Sequence, residues 1–150
     1  SAAINSADTG HLVLSTVHTT TASQAVSRVL EFFKADEREQ VRRQLAATLK
    51  AAICQRMVPT IDGGVTPAQE IMMNTPRVRK LIEENRLDKL SAAIETGTDD
   101  GMISFNQHLF NLVKEERITK EAALAKASNP QALEMNFQGI FLDEARRILS

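Results

Sequence analysis

The 150-residue chain carries 18 Lys and Arg against 19 Asp and Glu, a net charge of −1, with 43% hydrophobic and 25% charged residues. That balance is ordinary for a globular protein of a length that forms a single core or two small subdomains sharing one. It excludes the basic footprint of a nucleic-acid partner, and no basic run would hold a membrane surface. Cys54 is the only cysteine, so no internal disulfide can form and the usage fits a reducing cytosol. No apolar run approaches the roughly 20 residues needed to cross a bilayer, so no transmembrane segment is expected.

In chain order, Ser1 to Ala7 reads as the tail of a helix that Gly10 can end in a left-handed conformation. Leu12-Val13-Leu14 is then a short continuous apolar run closed by Ser15-Thr16, the pattern of a strand buried on both faces of a parallel sheet. His18 follows where strand gives way to loop, and in an open α/β sheet ligands sit just beyond the carboxyl ends of strands. Thr21 with Gln24 fits a capping box, and Ala25, Val26, Val29, Leu30 and Phe33 make one apolar helical face behind it. A helix start beside a strand end is an expected anion site, because its first amides lack partners and its dipole is positive there.

Asp36 and Glu39 suggest a second capping box, with Val41, Leu45, Leu49 and Ala52 at helical spacing. Arg38, Arg42 and Arg43 on that helix read first as a solvated basic face, with a neighbouring subunit's nucleotide as the alternative. Ile53 to Val58 and Gln69 to Met73 are strand-like runs, and Asp62-Gly63-Gly64 between them supplies a tight reversal, so a β-hairpin or a neighbouring strand pair is expected. Thr75-Pro76 opens the next helix as cap and first-turn proline, with Val78, Leu81 and Ile82 as its apolar stripe.

From Leu87 the chain reads as short helices separated by turn signals at Gly97, Asp99-Asp100-Gly101, Ile118-Thr119, Ser128-Asn129-Pro130 and Gly139. Phe105, Leu109, Leu112 and Val113 form a buried face, with His108 on its polar flank as a surface residue. A last helix is expected over Leu142 to Leu149, its acids Asp143 and Glu144 early and its arginines Arg146 and Arg147 late, in accord with the helix dipole. None of the six glycines opens a Gly-x-x-x-x-Gly-Lys-Ser/Thr phosphate loop, and no strand-like run ends in a magnesium-holding acid. A metal site drawn from His11, His18, His108 and Cys54 is a weak possibility, because His11 and His18 lie at opposite ends of an extended segment.

The run from Asp8 to Thr20, with His11 and His18 at fixed spacing, resembles the histidine box of the secretion and type IV pilus motor ATPases. Gln55-Arg56-Met57 and Glu70-Ile71-Met72 resemble that family's strand pair. The Asp62-Gly63-Gly64 turn stands where secretion and pilus-assembly members generally carry two Cys-x-x-Cys pairs, so the resemblance is to the retraction, PilT-like branch. Arg77 to Glu84 is similar to the retraction motif: Arg79, Leu81, Ile82 and Glu84 match, Val78 is a close substitute, and Arg77, Lys80 and Glu83 depart, the last with reversed charge. Gly101 to Gln107 and Asn129 to Ile140 resemble further segments of the same branch.

The resemblance implies an α/β, predominantly helical fold: the C-terminal part of a RecA-like parallel-sheet core over residues 1–74, then a helical domain of short helices over 75–150. It implies a hexameric motor that uses ATP and magnesium, in which His18 senses nucleotide phosphate and His11 completes the histidine box. It further implies that Val78, Arg79, Leu81, Ile82 and Glu84 serve retraction. Expected partners are further copies of the chain and an inner-membrane platform protein at the pilus base, with a cytoplasmic location peripheral to that membrane. The chain itself is expected to be a piece of such a motor, inactive alone and without its own cofactor. A non-enzymatic helical adaptor that binds an intact ring or a pilus-base protein is the alternative. Exposure of the Leu12-to-Thr16 edge predicts self-association, and a sharp monomer boundary in sedimentation at high concentration would contradict it.

Overall fold

A computed structural model describes residues 2–141; the expected helix over 142–149 lies outside the described residues. Helix α1 (Ala2–Asp8) is followed by a segment without regular structure, then α2 (Ala22–Glu31), α3 (Arg38–Thr48) and the strands β1 (Ala51–Pro59) and β2 (Val65–Met73). Helices α4 (Pro76–Glu83), α5 (Leu90–Glu95), α6 (Phe105–Lys114), α7 (Lys120–Lys126) and α8 (Pro130–Phe137) follow among the described residues, with 3₁₀ turns over Leu87–Lys89 and Thr98–Asp100. The architecture is α/β and predominantly helical. No helix among the described residues is long and apolar enough to cross a membrane.

The expected hairpin forms and is longer than the apolar runs alone suggest. β1 and β2 pair antiparallel from Ala51↔Met73 to Pro59↔Val65. The turn between them is held by Asp62, whose carboxylate accepts from the Thr60 hydroxyl and from the Gly64 amide at 3.2 Å. These two bonds hold the Asp62 carboxyl below the usual carboxylate range. Alternation gives the hairpin two distinct faces. Cys54, Val58, Thr66, Ala68, Glu70 and Met72 are buried on one, whereas Ile53, Met57 and Val65 are exposed on the other.

Two sequence expectations fail around α3. The Asp36–Glu39 box does not form: the cap position is Glu37, which makes no side-chain capping bond. The helix also ends at Thr48, so Ala52 belongs to β1. Asn74 sets that end, its side-chain amide donating to Ala46 O and Leu49 O at 2.8 Å each and its backbone amide to Lys50 O at 3.0 Å. These bonds satisfy carbonyls that a continuing helix would have used.

The later helices are six to ten residues long and each of α4, α6, α7 and α8 has its own side-chain cap, from Thr75, Ser104, Thr119 and Asn129. At α6 the box is reciprocal: Ser104 Oγ accepts from Gln107 N at 3.2 Å and Gln107 Oε1 from Ser104 N at 3.0 Å. One apolar core runs from Val26 of α2 through Met72 of the hairpin to Phe105, Leu109 and Leu133 of the later helices. Gly97 sits at a close approach within it, since a Cβ there would lie 2.3 Å from Met102 Cε.

Substitution of the fully buried Leu109 by Ala is expected to cost about 2–5 kcal/mol in urea unfolding. Leu14, 88% exposed, should lose no more than about 0.5 kcal/mol as Ala. Equal losses at the two positions would contradict this core.

Candidate functional site at the histidine segment

The histidine segment leaves α1 through Gly10, whose φ of +92° is the left-handed conformation expected there. Gly10 N donates to Ala7 O and His11 N to Ser6 O, both at 3.1 Å, which closes the helix end. His11 is exposed, with Nδ1 3.2 Å from Thr9 Oγ1. Seven residues on, His18 is also exposed, three residues before the cap of α2. The two rings therefore mark the two ends of the segment. Among the described residues no group of three His, Cys, Asp or Glu is arranged to hold a metal ion.

Between them the expected buried strand is absent: residues 11–19 form no regular element and no ladder pairing, and Leu12 and Leu14 are 80% and 88% exposed. A strand needs hydrogen-bonding neighbours at its edges. The hairpin strands pair with each other, and β2 turns its other side to Ile103. Neither strand of the hairpin pairs with the Leu12–Leu14 run.

At the start of α2, Thr21 Oγ1 accepts from Gln24 N at 3.2 Å, as expected. Gln24 Oε1 reaches one residue further than a capping box requires, accepting from Thr20 N at 3.3 Å and Thr20 Oγ1 at 2.5 Å. The first amide of the helix, Ala22 N, donates to Glu70 Oε1 at 3.0 Å. This corrects the expectation of an open anion site: the protein's own carboxylate already occupies the position to which the helix dipole would draw a phosphate.

Glu70 belongs to a polar group on the inner face of the hairpin that the sequence reading assigned only to a strand pair. Its cross-strand partner is Cys54, and Arg56 is two residues along β1 on the same face. Arg56 donates from Nη2 to Thr20 O at 3.0 Å and from Nη1 to Lys126 O, at the end of α7, at 2.6 Å. Its guanidinium also stacks 3.9 Å from the centre of the buried Phe105 ring, the first residue of α6. Inward parity was the available signal: counting by twos from the apolar Val58 and Met72 puts Arg56 and Glu70 on the buried face.

Burial dominates the electrostatics of this group. It pushes the Cys54 thiol up, and the Glu70 carboxylate adds to the shift, against smaller opposing effects of Thr19 and Arg56. Burial also lowers the Arg56 guanidinium, opposed by the attraction of Glu70. Glu95, on α5, is raised by desolvation and then by Glu70.

The helix terminus that would meet phosphate is filled by Glu70, and no cluster of acids is arranged for a cation among the described residues. The motif on α4 divides by burial. Val78, Leu81 and Ile82 are core residues, whereas Arg79 and Glu84 are exposed, Glu84 lying 3.4 Å from Arg86 and 3.9 Å from Lys80. Arg42 donates to Glu83 O at 3.4 Å and Arg43 pairs with Glu39 at 2.6 Å. His108 is not a surface residue: half-buried, its Nδ1 accepts from Gln69 N at 2.8 Å and ties α6 to β2.

A family model described as Type II/IV secretion system protein matches residues 1–134. The chain is 39% identical over 132 residues to a twitching motility protein of Neisseria gonorrhoeae, covering 87% of this chain and 35% of that protein. It is 40% identical over 129 residues to the type IV pilus retraction ATPase PilT of Pseudomonas aeruginosa, covering 86% of this chain and 38% of that protein. The crystal structure of the pilus retraction motor PilT with bound ADP superposes with a TM-score of 0.79 at 35% identity, over 89% of this chain and 37% of that one. The chain thus spans little more than a third of the length of these relatives.

The raised Cys54 thiol carries a signed expectation. In the unfolded chain this thiol loses its proton at lower pH than in the folded one, so the stability it contributes at neutral pH is lost as pH rises through the folded value. Alkaline unfolding should therefore be shallower in Cys54→Ala than in the parent chain. Modification of the native thiol by a disulfide reagent near pH 8 should be at least about tenfold slower than in denaturant. Equal rates would show that the thiol is not buried against Glu70.

Proposed function

Because this chain belongs to the Type II/IV secretion system protein family, we propose that it forms the histidine-box and C-terminal helical part of a pilus retraction motor. In that reading it couples ATP hydrolysis to pilus disassembly and twitching motility. The observation that carries it is the superposition on the PilT motor at 35% identity over 89% of the chain. The hairpin turn supports the same branch, since Asp62-Gly63-Gly64 closes it tightly and the lone Cys54 lies inside β1.

Nucleotide and magnesium are held by other parts of such a motor. This chain contributes His18, an exposed imidazole able to meet a phosphate held elsewhere, while His11 anchors the far end of the segment at α1. Within the retraction motif, the buried Val78, Leu81 and Ile82 set the position of α4, and the exposed Arg79 and Glu84 meet a neighbour. Residues 1–74 and 75–150 differ in role: the first part faces the nucleotide and the second transmits movement. They share one core, since Val26 and Met72 belong to the same cluster as Leu109 and Leu133. The working assembly is a hexamer on the cytoplasmic side of the inner membrane, against a platform protein at the pilus base.

Arg79→Ala in the encoding bacterium should abolish twitching, while the purified variant keeps its unfolding free energy to within about 0.5 kcal/mol. A stable variant that still supports normal twitching would remove Arg79 from the retraction machinery. Calorimetric titration of the 150-residue chain with ATP and magnesium should give no detectable heat. Heat that vanishes in His18→Ala would overturn the assignment of the nucleotide to other parts of the motor.

A further inference from the structure

Two backbone groups that lead from the histidine segment into α2 are each met by a side chain on the inner face of the hairpin. The Thr20 carbonyl accepts from Arg56 Nη2 at 3.0 Å, and Ala22 N donates to Glu70 Oε1 at 3.0 Å. The two charged contacts are complementary, since a cation takes the carbonyl and an anion takes the amide on opposite sides of the Thr21 cap. Arg56 is simultaneously engaged with the other half of the molecule, through the Lys126 carbonyl at 2.6 Å and the Phe105 ring at 3.9 Å. A planar guanidinium holds two carbonyls through its fork while its face stacks on a ring; an ammonium has no planar face to stack.

We propose that Arg56 and Glu70 clamp the Thr20–Ala22 backbone so that the setting of α6 and α7 fixes the position of His18. Arg56 is here a positioning residue. It touches no substrate and acts through the Thr20 carbonyl, two residues from the histidine. Glu70 holds the start of α2, so a displacement of α7 reaches the segment through the guanidinium while the helix behind it stays anchored. The proposal rests on the reading of His18 as the functional histidine.

The test is a double-mutant cycle on the full 150-residue chain, read by NMR without nucleotide. Leu124→Ala loosens α7 where it packs on the core, and the reporters are the His18 ring signals and the exchange of the amides of residues 22–24. Leu124→Ala should move the His18 signals in the parent chain and leave them unmoved in an Arg56→Met background. Arg56→Met alone should shift the His18 ring signals, with partial rescue by Arg56→Lys, and leave exchange in the first turn of α2 unchanged, because Glu70 still holds Ala22 N. If Arg56→Met does not fold, the same cycle is run in Glu70→Gln, which keeps an acceptor for Ala22 N but removes the charge. There the coupling should weaken while the fold is kept.

A His18 response to Leu124→Ala that is equal in both backgrounds, or absent from both, overturns the clamp. Because no nucleotide enters the experiment, that failure is distinct from a failure of the functional reading, which the motility and calorimetry tests decide.

Discussion

The structure depends on a buried carboxylate, Glu70, and a partly buried guanidinium, Arg56, on one face of a two-stranded sheet. An isolated charge in a protein interior costs several kcal/mol, and attraction between partners repays that only where the remaining donors and acceptors are also satisfied. Arg56 and Glu70 find those partners in the backbone: Thr20 O, Lys126 O and Ala22 N. The compensation is available only if the start of α2 and the end of α7 both lie against the hairpin, with Phe105 beneath the guanidinium. The polar contacts thus dictate where three helices go, whereas apolar burial alone would tolerate a range of settings.

The short helices follow from the same economy of contacts. Isolated helices of six to ten residues are marginal in water, because nucleation is unfavourable and few hydrogen bonds follow it. Here side-chain caps remove unsatisfied amides at α2, α4, α6, α7 and α8, and each helix buries an apolar stripe in a common core. The buried Asn106 is paired as well: it donates to Asn129 O at 2.8 Å and accepts from Asn129 N at 3.4 Å, so the cap of α8 is fixed to α6. Arg117 likewise reaches back to Thr66 on β2 at 2.9 Å. Caps and cross-links of this kind allow a domain of short helices to hold one arrangement.

Sequence reading succeeded where the signal is local. The Asp62-Gly63-Gly64 turn, the Thr75-Pro76 start, the Thr21 cap and the Phe105–Leu109–Leu112 face are each set by residues within a few positions of one another. It failed where the outcome depends on distant partners. The Leu12–Leu14 run has the composition of a buried strand, but composition cannot supply the neighbouring strands that would pair with it. The end of α3 is decided by Asn74, some 25 residues away in sequence, and the anion site at α2 is filled by Glu70, 48 residues on. His108 looked like a surface residue because its partner is a backbone amide on another element. Arg56 and Glu70 were readable in principle, as charges at inward parity of an alternating hairpin. What they bind was not.

The retraction motif shows why a linear match needs a structure before roles are assigned. Residues at helical spacing alternate between core and surface, and on α4 the apolar matches, Val78, Leu81 and Ile82, are packing residues whose loss would disturb any function of the domain. Of the matched residues, Arg79 and Glu84 are the exposed ones. Yet the two classes are not independent. Val78 and Ile82 lie in the same close-packed cluster as Val26 of α2 and Phe105 of α6, and at Gly97 there is no room even for a methyl group. Interiors of this density have little slack, so a change in the seat of α2 is accommodated by movement of whole helices more readily than by local repacking. Arg79 is then carried on an element whose position is tied, through the core and through Arg56, to the segment that holds His18.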